Sequence, residues 1–114
     1  MGTVSKFTGG IILKVDDGVV REFSGRVLYK LRGRDVCNFT GQVIYKIDGD
    51  YIRDFYGRIL LKVNNNHISS FTGVTIAKID RDYIKDFYGT ILYKLDGFIS
   101  SMDMMMLIAI FFAK

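Results

Sequence analysis

The stretch DFYGRILLKV, residues 54–63, returns as DFYGTILYKL at residues 86–95. It is the clearest trace of a longer pattern. Phenylalanine recurs every 16 residues, at Phe7, Phe23, Phe39, Phe55, Phe71 and Phe87. Glycine follows two places later each time, at Gly9, Gly25, Gly41, Gly57, Gly73 and Gly89. Lysine follows seven places after the phenylalanine, at Lys14, Lys30, Lys46, Lys62, Lys78 and Lys94. Six units in one register mark a repeat architecture. Units one, three and five open with FTG, and units two, four and six with FSG, FYG and FYG. A 32-residue double unit in three copies accounts for that second period.

Each unit reads as two strands. In the third, QVIYKI (42–47) is rich in β-branched and aromatic residues, as a pleated surface prefers. DGD (48–50) is a hairpin turn, YIRDF (51–55) a shorter strand, and YG (56–57) the turn into the next unit. Hairpin repeats over 7–101 then give about twelve strands in up-and-down order. Ile44, Ile47, Ile52 and Phe55 have apolar counterparts throughout, Met102 standing in for the phenylalanine after the sixth unit. Their spacings do not alternate strictly, so either both faces are apolar or bulges realign the strands, and bulges are the expected solution because they also bend and close sheets. The lysine between them is expected to point to water.

The repeat gives way to MDMMMLIAIFFAK (102–114), apolar from Met104 to Ala113. That run is far below the roughly 20 residues that span a bilayer. A helix apolar all round belongs inside protein, so a buried helix is expected over 103–113. Ser101 or Asp103 would cap its start, and Lys114 suits its end. A thirteenth strand is the competing reading, because LIAIFF has strand-like residues.

Twelve strands about 4.8 Å apart, tilted by roughly 40°, close into a barrel of radius about 12 Å. A helix of radius roughly 5–6 Å leaves room inside for one shell of side chains. The expected fold is an all-β closed antiparallel barrel plugged by its own C-terminal helix, one domain over 1–114. This order, with its apolar tail MMMLIAIFFA (104–113), resembles the tubby C-terminal domain and its LURP-one and phospholipid-scramblase relatives. The resemblance implies a barrel wrapped around a central hydrophobic helix. The chain is much shorter than those relatives, and no residue matches their phosphoinositide-binding positions, so only the fold is carried over.

Composition narrows the function classes. Net charge is +4, with 25% charged and 49% hydrophobic residues, an ordinary globular balance that permits an anionic partner. The lone Cys37 excludes an internal disulfide and fits a reducing compartment. No basic-then-apolar leader opens the chain, and Lys6 stands where a myristoylation motif needs Ser or Thr. The sequon NFT (38–40) has no role without secretion, and a cytoplasmic location is expected. His67 replaces Tyr51 and Tyr83 of other units and reads as a variable surface residue. Cys37 stands where Arg21 and Arg53 stand, and reads as a surface thiol without a positioned base. The turns DGD (48–50) and DRD (80–82) offer too few carboxylates for a calcium shell. No catalytic, metal or cofactor site is expected.

The six lysines remain. Around a closed barrel they would form a belt, doubled in units one, three and five by Arg21, Arg53 and Lys85. Such a belt could hold anionic lipid headgroups, or simply keep an outer face soluble, with Glu22, Asp54 and Asp86 nearby. Tyr29, Tyr45 and Tyr93 beside the lysines could stack on bases or pair across strands. The expectation is a monomeric, non-enzymatic interaction or scaffold protein. The alternative is a peripheral binder of an anionic membrane or other polyanion, and nucleic acid is not the expected partner.

Overall fold

Two kinds of turn alternate along the chain and fix the strand ends. In each Phe-x-Gly turn the same two backbone bonds close a hairpin. In the fourth unit the Gly57 N–H donates to the Asp54 carbonyl (3.0 Å), and the Asp54 N–H to the Arg58 carbonyl (2.9 Å). The pattern recurs at Lys6, Glu22, Asn38, Ser70 and Asp86. It is a three-residue loop that ends on a glycine of positive φ, here between 88° and 100°. At the other end are two-residue loops. Asp17-Gly18 (φ 51° and 81°) and Asn65-Asn66 (φ 51° and 65°) have the paired positive φ of type I′ turns.

The computed structural model describes residues 2–113. Between the turns lie β1 (Gly2–Lys6), β2 (Ile11–Asp16), β3 (Val19–Glu22), β4 (Val27–Arg32), β5 (Asp35–Asn38) and β6 (Val43–Asp48). There follow β7 (Tyr51–Asp54), β8 (Ile59–Asn64), β9 (His67–Ser70), β10 (Thr75–Asp80), β11 (Tyr83–Asp86), β12 (Ile91–Gly97) and α1 (Ser101–Phe112). Every strand pairs antiparallel with the next. β1 also pairs with β12, from Gly2 opposite Gly97 to Lys6 opposite Tyr93, so the sheet is a closed barrel.

The strands are not partitioned as the repeat suggests. The sixth unit supplies only β12, and the remaining strand comes from GTVSK, ahead of the first phenylalanine. After Gly97 (φ 77°) the chain leaves the sheet and Ile99 packs against the core. β1 occupies the vacated edge. Its Val4 stands where Val20, Val36, Ile52, Ile68 and Ile84 stand in the other short strands, and all six side chains are fully buried.

Bulges occur as the apolar spacing requires, one in every Phe-x-Gly hairpin and always on the long strand. Ile52 lies opposite Leu61 and Arg53 opposite Ile59, which leaves Leu60 extra. The same shift makes Ile12, Leu28, Ile44, Ile76 and Leu92 the extra residues elsewhere. A bulge turns two successive side chains toward one face and increases strand twist. Ile44 and Tyr45 accordingly both pack on the core.

Phe55 and its counterparts do not join that face. The short strand ends at Asp54, and the phenylalanine is the first residue of the turn beyond it. The six phenylalanines are 55–73% exposed. Tyr29, Tyr45 and Tyr93, by contrast, face inward. They lie opposite the buried Val20, Val36 and Ile84 and pack against the core, which removes them from any outer stacking surface.

The helix fills the interior. Met106, Leu107, Ile108, Ala109 and Ile110 are consecutive and all buried, which covers more than one full turn. Met106, Leu107 and Ile110 join one wall with Val4, Val20 and Val36, while Ile108, Ala109 and Ala113 join the other with Ile52, Ile68 and Ala77. Tyr93 and Phe111 stack with centroids 4.1 Å apart. α1 begins two residues earlier than expected, because its cap is Ser100, whose Oγ accepts from the Asp103 N–H (3.1 Å). The proposed C-terminal partner Lys114 lies outside the described residues. The molecule measures 36 × 33 × 20 Å. The short dimension is close to the length of a 12-residue helix, about 18 Å.

Candidate functional site

With the lumen occupied, the surface left for recognition is outside. Topology sorts it into three levels. One rim carries the six Phe-x-Gly turns, with Tyr56 and Tyr88 beside them. The opposite rim carries the two-residue turns and is rich in carboxylates: Asp16, Asp17, Asp48, Asp50, Asp80 and Asp82, with Arg32, Arg34 and Arg81 among them. Between the rims runs the cationic belt.

The belt forms because lysine alternates with inward residues in every long strand. Lys46, for example, lies between the inward Tyr45 and Ile47. Lys30, Lys46, Lys78 and Lys94 are exposed, and Lys14 and Lys62 half-buried. Register sets Lys14 opposite Arg21, Lys46 opposite Arg53 and Lys78 opposite Lys85. Lys30, Lys62 and Lys94 face Cys37, Ser69 and Ser5 instead. The belt is therefore doubled at every second hairpin. Two of its members reach the acidic rim: Arg53 pairs with Asp48 (3.1 Å) and Lys85 with Asp80 (2.9 Å). The Lys85 ammonium, by hydrogen bond and charge, holds the Asp80 carboxyl below its usual range.

The carboxylates near the phenylalanines serve the turns rather than the lysines. Asp54 accepts the N–H groups of Tyr56 and Arg58 through one oxygen, and Arg58 Nε through the other, each at 2.9 Å. Burial pushes this carboxyl up, but the Arg58 and Tyr56 donors outweigh it and leave it below the ordinary value. Asp86 accepts the N–H groups of Tyr88 and Thr90 in the same way. Asn38 does likewise without charge, accepting those of Thr40 and Gln42. Glu22 instead accepts the Ser24 hydroxyl.

Belt and aromatic rim meet on the outer wall. Lys14 Nζ sits 5.3 Å from the Phe23 ring centroid, Lys46 Nζ 5.8 Å from Phe55, and the Arg26 guanidinium 5.9 Å from Phe39. Tyr51 lies between Arg53 (5.8 Å) and Lys62 (5.7 Å). These last three residues, with Arg58, Ile59 and Phe71, line a groove of about 870 Å³ over β8. It has cationic edges and an apolar, aromatic floor. Sequence reasoning found the lysines but missed this groove, because Arg58 and Phe71 come from adjacent units and meet only across the wall.

Cys37 is buried, not a surface thiol. It is 1% exposed and lies in register between Lys30 and Val43. His67 opens β9 and is exposed. Among the described residues no group of His, Cys, Asp or Glu is arranged to hold a metal. No described helix is long and apolar enough to cross a membrane. The strands, at four to seven residues, are shorter than the roughly 9–11 that a membrane-spanning barrel uses.

Fold and surface together define a class: a closed twelve-stranded antiparallel barrel, plugged by its own C-terminal helix and belted with cations. Neither a family model, nor a curated protein, nor a solved structure matches the chain.

Proposed function

We propose that this is a non-enzymatic interaction protein that works through its outer wall. The observation behind this reading is the filled lumen. Barrels that hold small ligands do so inside, and here α1 takes that space. The architecture supports likeness to the tubby, LURP-one and scramblase group only at the level of strands around a helix. A cytoplasmic setting fits the lone thiol. A monomer is the working unit in this reading.

A second reading has its own support. The doubled belt and the groove over β8 favour an anionic partner surface over a neutral one. The lysines Lys14, Lys30, Lys46, Lys62, Lys78 and Lys94, with Arg21, Arg53 and Lys85, are the residues that would hold it. Retention on a heparin column across a salt gradient tests this. Changing Lys14, Lys46 and Lys78 to Gln lowers the net charge from +4 to +1. Elution should move to lower salt while the melting temperature barely changes, since surface substitutions usually fall within about 0.5 kcal/mol. Equal elution of parent and variant would remove the belt from the binding surface.

A further inference from the structure

Six exposed phenylalanines on one rim, with a cationic belt just behind them, have no role in the core. We infer that this rim docks end-on against an anionic lipid bilayer, its phenylalanines entering the interface and the belt facing the phosphates. The inference rests on the anionic-partner reading and names the partner.

Three observations carry it. First, the exposure is systematic. Turn geometry demands glycine at the third loop position, but nothing in the turn demands phenylalanine at the first. Each ring is nevertheless more than half exposed. Interfacial attachment uses such side chains backed by Lys and Arg. Second, the rings are spread. Successive Phe-x-Gly turns are two strands apart, about 12 Å around the barrel. Isolated knobs at that spacing make a poor interface with another protein, where close-packed complementarity is needed. A fluid bilayer accepts each ring independently. Third, charge is layered along the axis. The phenylalanine rim balances Lys6, Arg26 and Arg58 against Glu22, Asp54 and Asp86. Behind it lies the belt, and the far rim is acid-rich. An anionic surface therefore attracts the belt and repels the far rim, which orients the barrel. Arg26, Lys14 and Lys46, beside phenylalanine rings, place positive charge where headgroups would meet them.

The chain has no tryptophan, so one introduced tryptophan is a clean reporter. Phe39→Trp reports on the aromatic rim. Phe98→Trp reports on the far rim, where Phe98 is also exposed. Both are mixed with phosphatidylcholine vesicles, with and without phosphatidylserine, carrying brominated acyl chains. The expected result is a blue shift and quenching for Phe39→Trp on the anionic vesicles, and neither for Phe98→Trp. In flotation, Phe7→Ser, Phe39→Ser and Phe71→Ser together should lower binding about tenfold or more, with an unchanged circular dichroism spectrum confirming the fold. Quenching at Phe98→Trp alone would overturn the orientation. Parent protein that fails to float yet stays on heparin would overturn the bilayer and leave the anionic-partner reading standing. Failure of both assays would remove both. A dimer in light scattering that the serine variants convert to monomer would assign the rim to a second copy of the chain, against this inference.

Discussion

Two glycines on the phenylalanine rim show how differently one residue type can be used. Gly57 has φ of 90°, and no atom lies within 4 Å of a Cβ built on it. Gly10 has the same empty surroundings without a positive φ. Gly57→Ala should therefore cost about 1–2 kcal/mol from backbone conformation alone. Gly10→Ala should be neutral or stabilise by a few tenths, up to about 1 kcal/mol, by restricting the unfolded chain. Urea midpoints of the two variants check this, and equal effects would contradict it. Asp54 supplies a test in pH. A carboxyl held low in the folded state contributes stability that is full above its ordinary value and lost as pH falls through the depressed one. Asn38 performs the same turn function uncharged. Asp54→Asn should keep the hairpin but show a smaller loss of urea midpoint between pH 5 and pH 2 than the parent. An unchanged acid limb would show that the Arg58 contacts contribute nothing to that dependence.

Among the elements, β1 and the segment after β12 carry the closure. Gly2 pairs with Gly97 and is buried, and a Cβ there would overlap the Ile99 side chain and press on the Phe98 carbonyl. Ile99 in turn packs against the core just before the Ser100 cap. One small residue thus lets the last strand pair with the first while the chain turns inward. Gly2→Ala should cost about 1–3 kcal/mol by overpacking. Ile99→Ala in the same chain should recover part of that loss, a coupling measurable in a double-mutant cycle. Strict additivity would mean that the two residues do not meet. The bulges act at this scale as well. They let an apolar spacing of three serve one wall, and they bend each hairpin toward its neighbour.

Over the whole molecule, barrel and helix depend on each other. The inward side chains of Val4, Val20, Val36 and Ile84 share a core cluster with Met106, Leu107 and Ile110 of α1, and those of Ile52 and Ile68 share another with Ile108 and Ala109. Ile108 is fully buried between such side chains. Ile108→Asp would bury an unpaired carboxylate and should cost about 4 kcal/mol or more, beyond the usual range for one substitution. Loss of the near-ultraviolet signal, dye binding to exposed apolar surface and a sharply lower melting temperature are the expected readouts. A variant as stable as the parent would mean that the helix does not fill the barrel.

The sequence by itself determined the repeat, the turns, the bulges and the buried helix. All of these follow from local rules. A glycine with positive φ is needed wherever the same turn recurs, and an apolar run with no polar face has to be enclosed. It also identified the lysines and the second cation beside every other one, because both follow from position within a unit. Only the tertiary structure decided where the ring closes. GTVSK precedes the first full unit, although Val4 keeps the 16-residue register of the short strands, and its place as a strand depends on an edge that exists once the chain past Gly97 has turned inside. Only the structure could place the phenylalanines, too. Phe55 is apolar and recurs with the core residues, so periodicity groups it with them. One residue's difference in where a strand ends moves it from the wall to the rim. The groove over β8 and the burial of Cys37 were beyond reach for a related reason. Each depends on packing between strands, and sequence periodicity carries no information about contacts across the sheet.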